Sequence, residues 1–424
     1  MDFKEFSDFS VDFIRDRDEL FLLLGEAAEF EHTVMCSYLY TMMTLKRSVD
    51  EGVTADELAA INRWRQAIRN VAFDEMVHFC LVNNLITALG GSPHFNRPDF
   101  PVPVGRFPAD YEFTLAPFSE STIQHFMYIE RPLDADVKDG TSYSNKRSYY
   151  REIRTDLYSP TRSDYPTQGH LYHSIAFGLR RLAADYGEAK LFAGGGDAQL
   201  TADVFGIPEL FAITDLALAE RAIEKIVVEG EGAPSHSATS HFASFSKISV
   251  ELAALKAARP AFDPARPAAL NPRLLDPIRR QRTTHVTHPL SLRIVDLGNC
   301  IYVLMLRCLA QAAAPYEIAQ SERAALGDAA VQLMYAFAAM GDAATRSPLK
   351  AGGGGRTAGL SLETHDLGGA LVKRCATQLL SERALQLGSA VRQLPAKLAL
   401  ASVADQLDGI GQGLLTLANQ SASV

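Results

Sequence analysis

The chain has 424 residues and a mass of 46.3 kDa, enough for a large core and for two or three domains. Hydrophobic residues make up 47% and charged residues 21%, the balance of an ordinary globular protein, while a net charge of -9, a pI of about 5.7 and the lack of a basic stripe argue against nucleic acid or an anionic membrane as the main partner. The five cysteines (Cys36, Cys80, Cys300, Cys308, Cys375) form no C-x-x-C pair, which argues against a disulfide scaffold or a thiolate-bound zinc and fits a cytoplasmic location.

The first twenty residues are rich in Asp, Glu and Phe and lack a basic region followed by an apolar run, so no signal peptide is expected there. A helix is predicted over 18–47, with Leu24, Ala28, Glu31, Met35, Tyr38 and Met42 on one face. A second is predicted over 54–89, opened by Thr54 with Glu57 three residues on, a capping-box pattern, and closed by Gly90 and Gly91. The proline-rich stretch 92–117 reads as an extended crossover that returns the chain to the start of the bundle. A shorter helix at 118–130 stops at Pro132, the polar stretch 133–165 reads as loop with short strands, and helices resume at 167–187 and 213–229. After a Gly/Pro break and a Ser/His-rich loop, a helix at 241–257 completes the N-terminal half. Residues 258–291 read as a proline-rich surface wrap, followed by amphipathic helices near 289–313, 320–343, 367–389 and 395–418. The most apolar later stretch, 301–314, is short and contains Arg307, so no membrane span is expected.

Function enters through the second helix. Positions 61, 64, 68, 71, 75, 78, 82, 85 and 89 share one face, and seven of the nine are large apolar residues. The other two are Glu75 and His78. An ionised carboxylate inside a helix core is costly unless it is paired or bound to a cation, so a Glu-x-x-His pair there points to metal ligation. Glu31 places a carboxylate in the core stripe of the neighbouring helix, and two buried carboxylates on adjacent helices suggest a shared ion. Four-helix bundles of the ferritin-like kind hold two metal ions in this way.

Other motifs carry less. The run Gly352–Gly355 lacks the first Gly and the Lys of a phosphate loop and follows a helix, so it reads as a connector. Asp110, Ser119 and His125 could be drawn as a hydrolase triad, but no G-x-S-x-G elbow exists, and no G-x-G-x-x-G fingerprint supports a dinucleotide site.

Taken in order, Glu29-Phe30-Glu31-His32 with Tyr38-Leu39-Tyr40, Asp74-Glu75-Met76-Val77-His78, 85–93, Leu115-Ala116-Pro117-Phe118, Ile129-Glu130-Arg131-Pro132, Glu229-Gly230-Glu231-Gly232, Ser240-His241-Phe242 and Gly355-Arg356-Thr357 resemble the ferritin-like proteins of the iminophenylpyruvate dimer synthase family, over about residues 20–365. Family members include the enzyme that couples two indolepyruvate imines in violacein-type pigment biosynthesis, where this module is one part of a longer protein; for this chain the resemblance implies oxidative coupling of imines and places Glu31, Glu75, His78, Glu231 and His241 around a metal centre. Where relatives carry Gly-Glu-Phe-Tyr, this chain has Gly169-His170-Leu171-Tyr172-His173, so His170 would stand in for a carboxylate and favour one metal over two. The fourth helix lacks a Glu-x-x-His; Glu231 and His241 meet one ion only if the loop between them folds back, and Glu220 or Glu224 is the alternative to Glu231.

The expected fold is all-α: a ferritin-like four-helix bundle over 15–255 with a helical C-terminal region, 256–424, packed on it. The expected function is that of a metal-dependent oxidase or oxygenase of specialised metabolism acting on a small aromatic or amino-acid-derived substrate, with one or two iron ions, or manganese, at Glu31, Glu75, His78, His170, Glu231 and His241. Expected partners are the small-molecule substrate, a biosynthetic partner enzyme and a second copy in a homodimer, with no nucleic acid and no membrane. The alternative is a non-catalytic scaffold that binds a partner enzyme or an unstable intermediate.

Overall fold

The computed structural model describes residues 14–132, 135–143, 151, 158–162, 164–230, 237, 239–275, 282–364 and 369–421. Helices dominate: α1 (Arg17–Met43), α2 (Ala55–Ala88), α3 (Glu120–Ile129), α4 (Gln168–Tyr186), α5 (Glu188–Leu191), α6 (Ala202–Phe205), α7 (Leu216–Glu229), α8 (His241–Ala258), α9 (Pro289–Ala312), α10 (Gln320–Arg346), α11 (Ala376–Arg392) and α12 (Ala401–Ser421). Among the described residues the only named strands are β1 (Pro272–Arg273) and β2 (Thr284–His285), paired in parallel. The short strands expected within 133–165 do not appear among its described residues, where a single 3-10 turn, Thr141–Tyr143, is found.

α1 and α2 form an antiparallel pair, held at one end by Arg17 Nη1 donating to Leu89 O at 2.5 Å. The Thr54–Glu57 capping box is present at the start of α2, and Glu57 also receives two bonds from Arg259 at the end of α8. α1 is buried nearly all round, well beyond the single face its periodicity indicates.

The other two columns of the bundle are each built from two shorter helices. α3 starts beside the end of α1, where Phe118 N donates to Thr44 Oγ1 at 2.9 Å, and runs antiparallel to it as far as Glu130 beside Tyr38. α4 continues in that direction from Gln168 and Tyr172, which donate to Glu31, to Gly178, whose backbone packs against Ile14. Along α2, α7 ends with Glu229 at His78, and α8 continues from His241 at Glu75 to Glu251 at Trp64 and Arg259 at Glu57. Both columns are interrupted at the level of Glu31, Glu75 and His78.

The crossover runs without helix as expected and covers the outer side of α1: Phe107, Tyr111 and Phe113 pack edge-on around Phe30, and His94 and Arg106 pair with the buried Glu29. α9 and α10 pack together, as do α11 and α12, and the two pairs pack on each other. This C-terminal layer meets α1 through Tyr302, which contacts His32 and Cys36, and through Thr345, which donates to Met43 O at 3.1 Å. Arg266 joins the layers by pairing with Glu51 and Asp342 at 2.6 and 2.8 Å. One described helix, α10, is long and apolar enough by length and composition to cross a membrane; it packs against α9, α12, α6 and α1.

The helix expected at 367–389 begins only at Ala376, after a 3-10 turn at Lys373–Cys375. Gly369 lies in the described part of the excess stretch, and glycine is a poor helix former. None of the five cysteines is in a disulfide.

Candidate metal centre

The three-residue step from Glu75 to His78 puts both side chains on one face of α2, turned toward Glu31 of α1. Two further residues reach the same place because helices stop and start there. Glu130 is the C-cap of α3, two residues before Pro132, where a proline disfavours helical backbone for its predecessor. His241 is the first residue of α8, fixed by Ser240, whose Oγ accepts from Ala243 N at 3.2 Å.

These five buried side chains form two triads that share a carboxylate: Glu31, Glu75 and His78, and Glu75, Glu130 and His241, each offering three donor atoms within 4.8 Å of one another. His78 Nδ1 lies 3.1 Å from Glu75 Oε2 and 3.7 Å from Glu31 Oε2. His241 Nδ1 lies 3.1 Å from Glu75 Oε1 and 3.4 Å from Glu130 Oε2. Glu75 thus turns one oxygen to each triad, and the two imidazole rings are 5.7 Å apart. On the outer side, His78 Nε2 meets Glu229 at 3.1 Å and His241 Nε2 meets Asp74 at 3.4 Å; both outer carboxylates are partly exposed. An outer carboxylate on the second nitrogen is the arrangement that fixes the tautomer and the ring orientation of a metal-ligating histidine.

The donor set fits a cation. Glu31 Oε2 and Glu130 Oε2 are buried without a hydrogen bond, an arrangement costly for carboxylates in a protein interior unless a positive charge is supplied. Protons meet part of that demand. Burial, and then the negative charge of Glu75, push the Glu31 carboxyl up to about 8. Burial alone would lower His78, but Glu229, Glu31 and Glu75 hold it well above the usual imidazole range. His241 is raised in the same way by Glu75, Glu130 and Asp74 against the effect of burial. Burial likewise opposes ionisation of Glu75, yet His241 and His78 keep it below the usual carboxylate range. A set of carboxylate oxygens and imidazole nitrogens without thiolate suits iron or manganese.

Of the residues proposed from the sequence, the structure brings together Glu31, Glu75, His78 and His241. Glu231 lies outside the described residues. His170 does not join either triad: it sits in the first turn of α4 with Nδ1 3.0 Å from Thr167 Oγ1, and burial, His173 and Arg131 together depress it to about 4. Glu220 pairs with Arg180 and Glu224 is exposed, so Glu229 is the α7 carboxylate that reaches His78. Glu130 joins the second triad without standing in any apolar helix stripe; the signal for it in the sequence is the Glu-Arg-Pro ending of α3. The hydrolase triad of Asp110, Ser119 and His125 does not assemble: His125 pairs with Asp139 at 2.7 Å, its Nε2 lies 2.7 Å from Glu112 O, and Ser119 caps α3.

A comparison with known families agrees with this architecture. The ferritin-like family model matches residues 24–250. The chain is similar to 2-imino-3-(indol-3-yl)propanoate dimerase of Chromobacterium violaceum, 28% identical over 367 residues, covering 82% of this chain and 34% of that protein. It is also similar to dichlorochromopyrrolate synthase of Lentzea aerocolonigenes, 26% identical over 396 residues, covering 83% of this chain and 36% of that protein. The chain spans about a third of the length of these curated relatives. Among solved structures it is similar to a ferritin-like protein from Caulobacter vibrioides, with 18% identity and a TM-score of 0.42, covering 73% of this chain and 93% of that one.

Proposed function

The chain belongs to the ferritin-like family, and from that premise we propose that it is a metal-dependent oxidase or oxygenase of specialised metabolism. Its substrate in this reading is a small aromatic or amino-acid-derived molecule, and its reaction the oxidative coupling of imines. The observation that carries the reading is the pair of buried triads sharing Glu75, with one oxygen each of Glu31 and Glu130 left without a hydrogen bond. The two curated relatives, named as a dimerase of an imino acid and a synthase of a dichlorinated pyrrole, support a biosynthetic role.

Glu31 and His78 would hold one ion, Glu130 and His241 the other, and Glu75 would reach both. Bound iron or manganese would supply electron transfer and Lewis acidity. The chain's own contribution is to exclude water by burying all five ligands, to orient His78 and His241 through Glu229 and Asp74, and to hold or release protons at Glu31 and the imidazoles. Asp74 and Glu229 are the partly exposed members of the cluster, and a substrate is expected to approach from their side.

The test is purification under anaerobic conditions with ferrous iron, followed by elemental analysis and measurement of oxygen uptake with an aromatic 2-imino acid generated in situ. Up to two irons per chain and substrate-dependent oxygen consumption are expected. A stable protein that takes up neither iron nor manganese would overturn this reading in favour of a non-catalytic scaffold.

A further inference from the structure

Each terminal carboxylate of the centre is engaged through one oxygen only. Glu31 Oε1 accepts from the Tyr172 hydroxyl and from Gln168 Nε2, while Glu31 Oε2 has no hydrogen bond and faces His78. Glu130 Oε1 accepts from the Tyr38 hydroxyl, while Glu130 Oε2 has no hydrogen bond and faces His241. Both phenols are fully buried, and they come from different helices: Tyr38 from α1 and Tyr172 from α4. The arrangement therefore repeats across Glu75, with one phenol assigned to each half of the site.

We propose that Tyr38 and Tyr172 are positioning residues, each serving one half-site: by occupying Oε1, the phenol fixes the rotamer of its glutamate and leaves Oε2 alone to face a cation. This rests on the metal-binding reading above and adds to it a division of labour between the two halves. A carboxylate pinned at one oxygen loses little further freedom when the other oxygen binds, and a one-oxygen ligand leaves room on the ion for substrate or oxygen. Removing such a partner of a metal ligand typically weakens metal affinity about 10- to 100-fold.

The experiment uses Co2+ as the probe, titrated into the full chain and followed by calorimetry and by the visible absorption of the bound ion. The variants Tyr38→Phe and Tyr172→Phe are each made alone and in two backgrounds: His241→Ala, which retains the Glu31–His78 half, and His78→Ala, which retains the Glu130–His241 half. In the His241→Ala background, Tyr172→Phe is expected to weaken Co2+ binding about tenfold or more and to alter its spectrum, with Tyr38→Phe having no effect; in the His78→Ala background the pattern is expected to reverse. A general loss of packing would move both backgrounds together, and melting temperatures taken alongside identify it. Equal effects of a phenol in both backgrounds, or none in either, would overturn the assignment while leaving the metal centre in place. Absence of Co2+, iron and manganese binding by the unsubstituted chain would instead remove the metal reading and this inference with it.

Discussion

Glu75 carries more of the site than any other side chain, because its two oxygens face two different imidazoles. Glu75→Ala is accordingly expected to abolish loading of both half-sites, and Glu31→Ala or Glu130→Ala to remove about half of the bound metal, as read by elemental analysis against unchanged helical circular dichroism. His170→Ala is expected to leave the metal-to-protein ratio unaltered; a fall in that ratio would restore His170 to the ligand set. Glu31, Glu75 and His78 were legible in the sequence because each interrupts an apolar face of a long helix, where periodicity makes a buried charge visible. Glu130 was not assigned, because it follows a short helix at its boundary, where periodicity says nothing about direction. His241 was reached through family resemblance: as the first residue of α8, it has no preceding turn to define a face.

At the scale of elements, the capping box at Thr54 was read correctly, since both of its side chains act on neighbouring backbone. Thr54→Ala is expected to lower the unfolding free energy by ~1 kcal/mol in urea denaturation. Metal content should not change, because Glu75 lies about 30 Å further along the helix at 1.5 Å per residue; a loss of metal would contradict the independence of cap and site. The enclosure of α1 was not legible from its pattern. Its second buried side faces the crossover and the C-terminal layer, contacts formed with residues such as Tyr111 and Tyr302, far away in sequence. The two-part columns were only half visible: helices at 118–130, 167–187, 213–229 and 241–257 were expected, but periodicity does not reveal that α3 and α4, or α7 and α8, follow one another along the same neighbour.

For the molecule as a whole, the centre ties stability to pH. Glu31, with its carboxyl raised to about 8, keeps a proton that the unfolded chain gives up near the ordinary value of 4.5, so the folded state binds more protons in that window. His78 and His241, held well above 6.5, act in the same direction at higher pH. The stability contributed by all three is present at low pH and is lost as pH rises through the folded values. Above about pH 7, His32, His170 and His173, all lowered from 6.5 by burial, are neutral in both states and no longer oppose this trend. Chelator-treated protein should therefore melt at progressively lower temperature as pH rises from about 7 to 8, and added iron or manganese should raise the melting temperature most at the alkaline end, because it replaces protons that are then already leaving. An unchanged melting temperature across that range would refute the linkage. The interrupted columns have a separate consequence, for how such a protein diversifies. α1 and α2 are continuous and supply Glu31, Glu75 and His78, whereas the chain leaves and re-enters the bundle at Glu130 and Gln168, and again at Glu229 and His241. Those two gaps are natural insertion points, since the chain can be lengthened or exchanged between their ends while the pair of long helices keeps the ligand frame in register.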